Sequence, residues 1–184
     1  MQNHGNLHEQ KPFTIWLTGL SAAGKTTLAQ RLKNSLKKFG YLVCVLDGDN
    51  IRCGLGKDLG FSNEDRSENV RRVAEVSKLM NDSGLIVIAS LISPFTKDRE
   101  KAKEIVGFDR FFQVYVSAPI SVCEKRDPKG MYRKARKGLI SGFTGVDGPY
   151  EPPQNADFCI DTSIFDEEEC ARKTIESLRC LGIL

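Results

Sequence analysis

The stretch FTIWLTGLSAAGKTT, residues 13–27, decides the fold class of this chain, because an apolar run leads into a glycine-framed turn and then into a helical repeat. From Gly19 to Thr26 it matches the phosphate-binding pattern G-x-x-x-x-G-K-[ST]. In such a loop successive backbone N–H groups point at phosphate oxygens, and the helix that follows adds the partial positive charge of its N-terminus. The stretch therefore predicts a strand, a P-loop and a helix that bind a nucleoside triphosphate.

The polar side chains of this loop have separate expected roles. Lys25 places a point charge at the β- and γ-phosphates, and the hydroxyl of Thr26 is expected to be a ligand of Mg²⁺. The loop residues expected to contact ATP are Gly19, Ser21, Ala22, Ala23, Gly24, Lys25, Thr26 and Thr27. The motif does not choose a reaction by itself, but a GTPase switch carries an Asn-Lys-x-Asp segment, and this chain has none.

Length and composition limit the remaining possibilities. The 184 residues predict a single domain over 1–184 with its own core and a flexible N-terminus over 1–11. The net charge of +3 is too small for general binding to nucleic acid or to a membrane. The longest apolar run, residues 85–92, is too short to span a bilayer, and the polar N-terminus lacks the apolar core of a signal peptide. A cytoplasmic location is therefore expected.

The six cysteines occur without any CxxC pair. Cys44 and Cys159 lie in apolar runs, where we expect small buried hydrophobic residues; a disulfide framework or a zinc site is the alternative. This cysteine usage favours a reducing compartment.

Apolar runs alternate with segments of helical spacing along the chain. The runs rich in β-branched and aromatic residues are 13–18, 41–46, 85–90, 111–116 and 157–161. The segments with helical spacing are 26–39, 64–82, 96–106 and 167–181, the second of them with Ser62 as its expected N-cap. This alternation predicts an α/β three-layer sandwich around a mainly parallel five-stranded sheet, whose ligands bind beyond the carboxyl ends of the strands.

Two carboxylates follow the second predicted strand. Asp47 and Asp49 are separated by one glycine, beside the expected position of the P-loop. One carboxylate can hold the Mg²⁺ shell while the other orients or deprotonates an attacking hydroxyl, although Asp and Gly are also ordinary β-turn residues. We favour Asp47 for the metal shell and Asp49 for the hydroxyl, and the sequence leaves the division between them open.

Residues 127–153 interrupt the alternation with many glycines and prolines. A loop of this length in a compact domain is usually a lid or a binding loop, so we expect a mobile lid over about 125–153. Between Lys125 and Lys137 the basic residues far outnumber the single acid, Asp127. A lid that brings these charges over the transferring phosphoryl group would also exclude water, whereas an RNA-binding patch is the alternative.

Four separated motifs resemble the adenylyl-sulfate kinase (APS kinase) family, and the resemblance runs from about Lys11 to the C-terminus. They are DGDNIR (47–52), GFSNEDRSENVRRVAE (60–75), GLIVIASLISPF (84–95) and GFTGVDGPYEPP (142–153). The resemblance implies transfer of the γ-phosphoryl group of MgATP to the 3′-hydroxyl of adenosine 5′-phosphosulfate (APS), giving 3′-phosphoadenosine 5′-phosphosulfate (PAPS) and ADP. It also implies a P-loop nucleoside-monophosphate-kinase fold with a lid, usually in a homodimer.

The resemblance further implies which residues bind the substrates. Phe61 and Phe143 match the pair that sandwiches the acceptor adenine, and base–aromatic stacking contributes about 1–3 kcal/mol per base. The positions matching those that hold the phosphosulfate and ribose are Arg52, Arg66 and Asn69. Arg126 and Lys129 match family positions near the nucleotides. Cys159 in the last predicted strand and Thr162 after it are expected to border the base of ATP. Arg71 or Arg72, in contrast, is expected to belong to a solvated charged face.

Ile92 and Ser93 follow the third predicted strand at the ligand end of the sheet. Pro94 fixes the local backbone, which should leave the backbone groups of both residues available to the acceptor. In parts of the family this serine is assigned as a phosphoserine intermediate. Direct in-line transfer needs no covalent intermediate, so we expect a single displacement.

One departure from the family pattern lies inside the P-loop, where Ala22-Ala23 stands in place of a further glycine. An alanine in a left-handed conformation would cost about 1 kcal/mol, so the turn is expected to differ slightly from that of the family.

Two other functions stay open from the sequence. One is a kinase for another small hydroxyl compound on the same fold, and the other is a nucleic-acid-binding ATPase that uses the basic 125–137 segment.

Overall fold

The computed structural model describes residues 10–184, so the expected flexible N-terminus lies outside the described residues except for positions 10 and 11. The strands are β1 Thr14–Thr18, β2 Val43–Asp47, β3 Ile86–Ser90, β4 Phe111–Ser117 and β5 Phe158–Asp161. The helices are α1 Lys25–Lys38, α2 Gly48–Cys53, α3 Asn63–Asp82, α4 Thr96–Val106, α5 Ile120–Arg126, α6 Met131–Arg136 and α7 Glu167–Cys180.

All five strands are parallel and lie in the order β2-β3-β1-β4-β5. The P-loop strand β1 is therefore central, with Thr14 opposite Val87 on one side and Phe111 on the other. Because the strands run in one direction, the residues that follow each of them meet at one edge of the sheet. The predicted α/β sandwich with its five-stranded sheet is confirmed.

Side chains of β1 alternate between two buried clusters, one on each face of the sheet. Ile15 and Leu17 lie in a cluster with apolar residues of α1 and α7, whereas Trp16 lies in a second cluster with residues of α3 and α4. All three are fully buried, and each such side chain contributes about 1.5–3 kcal/mol to stability. Helices therefore cover both faces, which is the predicted three-layer arrangement.

The start of α3 and its outer face agree with the sequence predictions. The Ser62 hydroxyl accepts a hydrogen bond from the amide of Asp65 at 3.1 Å, which caps the helix. On the outer face Arg71 pairs with Glu68 and Glu75, while Arg72 pairs with Glu68 and Asp58. Both arginines thus belong to a charged face.

The 127–153 stretch is not one continuous loop, because α6 lies within it. The carboxylate of Asp127 accepts hydrogen bonds from the amides of Tyr132 and Arg133, in the first turn of α6, at 3.1 and 3.0 Å. A six-residue helix is too short to show helical periodicity, so the sequence did not predict α6. For the same reason it did not predict α2, whose first residues look like a turn in Asp47-Gly48-Asp49.

The expected burial of Cys159 is wrong, because its residue is exposed, and Cys44 is only half-buried. Both lie on the outermost strands of the sheet, where an edge position leaves one side without a neighbour. All six cysteines carry free thiols. Among residues 10–184, no helix has both the length and the apolar character needed to cross a bilayer.

Candidate active site

The P-loop connects β1 to α1 in a tight turn that depends on glycine. A Cβ atom placed on Gly19 would lie 2.3 Å from the carbonyl oxygen of Val116 in the neighbouring strand β4, so no other residue fits there. Gly24, just before α1, has a φ of 94°. The loop closes with a hydrogen bond from the amide of Ala23 to the carbonyl of Leu20 at 3.2 Å.

Ala22 occupies the left-handed conformation inside this turn, with a φ of 59°. For an L-residue other than glycine this conformation costs roughly 1–2 kcal/mol. The turn runs from Leu20 to Ala23, and a positive φ at its third residue is the mark of a type II turn. The left-handed alanine considered from the sequence is therefore present, while the expected difference of this turn from the family's stays a prediction.

Lys25 lies at the bottom of the loop with its side chain turned toward the backbone. Its Nζ donates to the carbonyls of Gly19 and Leu20 at 2.9 and 2.7 Å. Burial lowers the pKa of this ammonium group from 10.5 to about 8, against the opposing effects of Cys123, Asp47 and Asp49. A nearby phosphate would strongly stabilise the charged form of such a buried ammonium group.

Thr26 and Asp47 form an oxygen-rich pair next to the lysine. The hydroxyl of Thr26 donates to Oδ2 of Asp47 at 2.8 Å, and Asp47 is buried. The other carboxylate oxygen, Oδ1, accepts from the amide of Asp49 at 3.0 Å, which holds the side chain at the start of α2. One carboxylate and one hydroxyl are a donor set that suits Mg²⁺ carried by nucleotide phosphates.

Asp49 differs from Asp47 in its surroundings, although the two residues are neighbours in sequence. The side chain of Asp49 is 66% exposed and contacts Nζ of Lys129, which is 58% exposed. Asp47 therefore faces the P-loop, and Asp49 faces the basic segment. The sequence alone could not predict this difference between the surroundings of Asp47 and Asp49.

A second cluster contains an exposed aromatic ring in the loop between α2 and α3, with one guanidinium group from each of these helices over it. Phe61 is 64% exposed, with the guanidinium of Arg52 4.5 Å and that of Arg66 5.7 Å from its ring centre. Arg52 is held by the carbonyl of Gly60 at 2.7 Å, and Arg66 by the carbonyl of Phe61 at 3.0 Å. Burial lowers the pKa of both guanidinium groups from the usual value.

Asn69 of α3 lies behind this cluster. It is buried, and its Oδ1 has no hydrogen-bond partner in the described part of the chain. A buried amide oxygen without a partner is costly, and the backbone approaches it closely at Gly56, where a Cβ would lie 2.7 Å from Oδ1.

The segment after α6 approaches the same region through Phe143. Arg66 donates to the carbonyl of Gly142 at 2.9 Å, and Asp147 accepts from the amides of Gly142 and Phe143 at 2.7 Å each. The Phe143 ring packs edge-on against Tyr132, with ring centres 5.0 Å apart. The structure thus brings the segment of Phe143 to Arg66, whose partner Gly142 is 76 residues later in the chain.

The segment Ile92–Pro94 is fixed by side chains that the sequence did not reveal. The hydroxyl of Thr18 donates to the carbonyl of Ile92 at 2.7 Å, and Arg99 donates to the carbonyl of Ser93 at 2.8 Å. Each carbonyl thus already accepts a hydrogen bond, and the contact of these backbone groups with the acceptor stays a prediction. Ser93 is buried and has a positive φ of 38°.

Arg126, at the end of α5, contacts the P-loop and the segment after β5. It donates to the carbonyl of Ala22 at 3.3 Å, to the hydroxyl of Thr162 at 2.9 Å and to the Thr162 carbonyl at 2.6 Å. The Thr162 hydroxyl in turn donates to the carbonyl of Ala23 at 2.9 Å. Cys159 lies in β5, which precedes this contact, and its exposed thiol has a pKa raised mainly by desolvation.

Sequence reasoning missed several residues that hold the site together. They are Trp16, Arg99, Tyr132, Asp147, Tyr150 and Glu151. All of them except Asp147 contact a residue distant in sequence, and a single sequence carries no signal of such pairs. Asp147, Tyr150 and Glu151 lay inside a quoted motif, and Trp16 lay inside the opening stretch 13–27.

The fold and the site together define a P-loop kinase: a phosphate loop after the central strand β1, an acidic pair at the end of the outermost strand β2 and a basic segment after β4. The family model described as adenylylsulphate kinase matches residues 11–161. The chain belongs to the adenylylsulphate kinase family.

Named relatives and a solved structure agree with this assignment. An adenylyl-sulfate kinase of Clostridium acetobutylicum is 51% identical over 183 residues, which are 100% of this chain and 91% of that protein. One of Clostridium kluyveri is 50% identical over 171 residues, 93% of this chain and 85% of that protein. The structure of Mycobacterium tuberculosis APS kinase in complex with AMPPNP and APS has a TM-score of 0.88 at 42% identity, covering 92% of this chain and 99% of that chain.

Proposed function

We propose that this chain transfers the γ-phosphoryl group of ATP to the 3′-hydroxyl of APS, producing PAPS and ADP. The observation that carries the proposal is that the P-loop and the Asp47–Asp49 pair share one sheet edge with an aromatic–guanidinium cluster around Phe61. A second nucleotide with a sulfated phosphate needs a flat apolar face and fixed cations, and that cluster supplies both.

On the donor side, the P-loop amides and Lys25 neutralise the β- and γ-phosphates. Arg126 and Thr162 lie against the P-loop carbonyls, which supports a role for them and for Cys159 at the base or ribose of ATP. The proposed ATP contacts are Gly19, Ser21, Ala22, Ala23, Gly24, Lys25, Thr26, Thr27, Arg126, Cys159 and Thr162. Positioning and neutralising charge is the main task of a protein that transfers phosphoryl groups.

Mg²⁺ is the metal that this donor set suits. Thr26 Oγ1 and Asp47 Oδ2 would hold it, directly or through water, together with oxygens of the nucleotide. Among residues 10–184 no three His, Cys, Asp or Glu side chains form a metal cluster, so the protein offers few ligands of its own. When bound, the metal supplies charge neutralisation between the β- and γ-phosphates.

On the acceptor side, Phe61 and Phe143 are proposed to stack on the two faces of the adenine of APS. Arg52, Arg66 and Asn69 would then bind the phosphosulfate and ribose, which would give the orphaned Oδ1 of Asn69 a donor. The remaining proposed contacts are Asp49, Ile92, Ser93 and Lys129.

For the chemical step, Asp49 is proposed to orient the 3′-hydroxyl and accept its proton. The oxygen of that hydroxyl forms a bond to the γ-phosphorus as the bond from phosphorus to the β,γ-bridging oxygen breaks, in a single displacement. Lys129 contacts the Asp49 carboxylate in this structure, so a short movement of its flexible side chain would place its charge at the transferring group. Ser93 is then a residue of the acceptor site and not a covalent intermediate.

The basic segment and the residues after it, about 125–153, are proposed to act as a lid that excludes water during transfer. A cytoplasmic homodimer is also part of the proposal. Six free thiols suit a reducing compartment. Light scattering would measure the oligomeric state, and a hexamer is the alternative, since a relative from Thiobacillus denitrificans is described as a hexameric APS kinase.

The test is a coupled assay of ADP release with APS, gluconate, shikimate or AMP as acceptor, and with RNA or DNA in place of an acceptor. We expect release to require APS and PAPS to form in equal amount. Release driven by one of the other small acceptors would establish the rival kinase, and release stimulated by nucleic acid but not by APS would establish the ATPase.

A further inference from the structure

Ala22, which has a left-handed conformation, follows a peptide bond of the P-loop that can adopt two opposite orientations. The Leu20–Ala23 turn is closed by its hydrogen bond, and turn types I and II differ by a flip of the central peptide, here the one joining Ser21 to Ala22. Type I would relieve the strain at Ala22. The observed φ of 59° therefore requires something that holds the flipped peptide.

Tyr132 of α6 supplies that contact. Its hydroxyl donates to the carbonyl of Ser21 at 3.1 Å, and the residue is only 2% exposed. Burial raises the pKa of the Tyr132 phenol, so it stays a hydrogen-bond donor. Because the C=O and N–H of a trans peptide point in opposite directions, holding the Ser21 carbonyl also fixes the direction of the Ala22 N–H.

The other side of the Tyr132 ring faces the second substrate site. It packs edge-on against Phe143 at 5.0 Å with an interplanar angle of 82°. Tyr132 itself is anchored at its amide, which donates to Asp127 at 3.1 Å. One buried side chain thus contacts the donor loop through its hydroxyl and the acceptor aromatic residue through its ring.

We propose that Tyr132 is a positioning residue shared by both substrate sites. Its hydroxyl holds the Ser21–Ala22 peptide so that the Ala22 N–H faces the phosphates of ATP, and its ring supports Phe143 against the adenine of the acceptor. The second half rests on the proposed function, whereas the first half needs only ATP binding.

The first test removes one atom, in Tyr132→Phe, and measures the Kd of AMPPNP by calorimetry. We expect a rise of about tenfold, because the peptide is then free to relax toward type I, while KM for APS changes less than twofold. Tyr41→Phe deletes the same atom from a half-buried tyrosine two residues before β2 and serves as the matched control, with an unchanged Kd. An unchanged Kd in Tyr132→Phe would overturn the donor half.

A rescue experiment separates positioning from general loosening. Glycine adopts a positive φ without strain, so in an Ala22→Gly background the flipped peptide depends less on Tyr132. We expect Tyr132→Phe to raise the Kd of AMPPNP by no more than twofold to threefold relative to Ala22→Gly alone. An undiminished tenfold rise in that background would contradict the role assigned to the hydroxyl.

The acceptor half is tested with Tyr132→Leu, which removes the ring as well. We expect KM for APS to rise at least fivefold in this variant, in addition to the weaker binding of AMPPNP, with a melting temperature that shows a folded protein. If only the binding of AMPPNP changes, the acceptor half is wrong. If APS is not a substrate at all, the AMPPNP measurements still decide the donor half.

Discussion

The indole Nε1 of Trp16 donates a hydrogen bond to the hydroxyl oxygen of Ser93 at 3.2 Å. Trp16 is fully buried in the middle of the central strand, and Ser93 is only 2% exposed. The serine hydroxyl is thus an acceptor for a core residue, in a position with little room for a phosphoryl group. We therefore expect Ser93 to support the site through this hydrogen bond and to form no covalent intermediate.

Ser93→Ala should therefore keep kcat within a few-fold of the natural protein. The loss falls on stability instead, because the buried indole N–H of Trp16 is left without its acceptor, at a cost of about 1–3 kcal/mol. Steady-state kinetics with saturating ATP and APS, together with urea unfolding, measure the two effects. A fall in kcat of several orders of magnitude would establish a covalent phosphoserine.

Asp49→Asn should lower kcat far more than it raises KM for ATP. The amide keeps the shape of the side chain but cannot accept a proton, and the exposed contact with Lys129 contributes little to stability. Kinetics across both substrates and a thermal melt provide the measurement, with Asp82→Asn as the control, because Asp82 ends α3 and pairs with Arg110. Equal kcat in Asp49→Asn would remove Asp49 from the chemical step.

The depressed pKa of Lys25, about 8, predicts a pH dependence with a definite sign. Between pH 8 and 10.5 the unfolded chain binds a proton that the folded free enzyme has released, so this group makes the folded state relatively more stable as pH rises. The same loss of charge weakens the attraction for phosphates. We expect kcat/KM for ATP to fall as pH rises through about 8.

Lys25→Arg supplies the control for that profile, because arginine keeps its charge over the whole range. The ratio of kcat/KM for the natural enzyme to that of Lys25→Arg should decrease with rising pH through the same window. A ratio that stays constant from pH 7 to 10 would show that another group causes the fall.

Arg99→Lys should weaken the acceptor site more than the donor site. The buried guanidinium donates to the carbonyls of Ser93 and Glu151 at 2.8 and 2.7 Å and to the hydroxyl of Thr96 at 3.0 Å, and a lysine cannot match this fork. Without it, the strained Ser93 backbone is no longer held, so KM for APS should rise several-fold while KM for ATP changes little. Stability should fall by about 1.5–3 kcal/mol.

Lys101→Met on the same helix is the matched variant for Arg99, since Lys101 is exposed and, within residues 10–184, its only ion pair is with Glu104. Its kinetics and stability should be those of the natural protein. An Arg99→Lys enzyme in which the two KM values rise together would indicate a general loss of order and not a role in holding the acceptor segment.

The sequence alone determined the fold class and the position of the phosphate site. Both follow from short-range rules: an apolar strand, a glycine-framed loop and a helix are consecutive in the chain, and the parallel arrangement places the residues after every strand at one edge. The alanine in place of the family glycine was also visible in the sequence, but only the structure shows that Ala22 has a positive φ.

The tertiary structure alone decided how residues far apart in sequence combine. It turned Asp47 toward Thr26 and Asp49 toward Lys129, although one residue separates the two carboxylates. It also placed Tyr132 between the P-loop and Phe143, through a helix too short to show a periodic pattern. Such contacts depend on packing between elements, and packing is a property of the whole fold that no local stretch of sequence encodes.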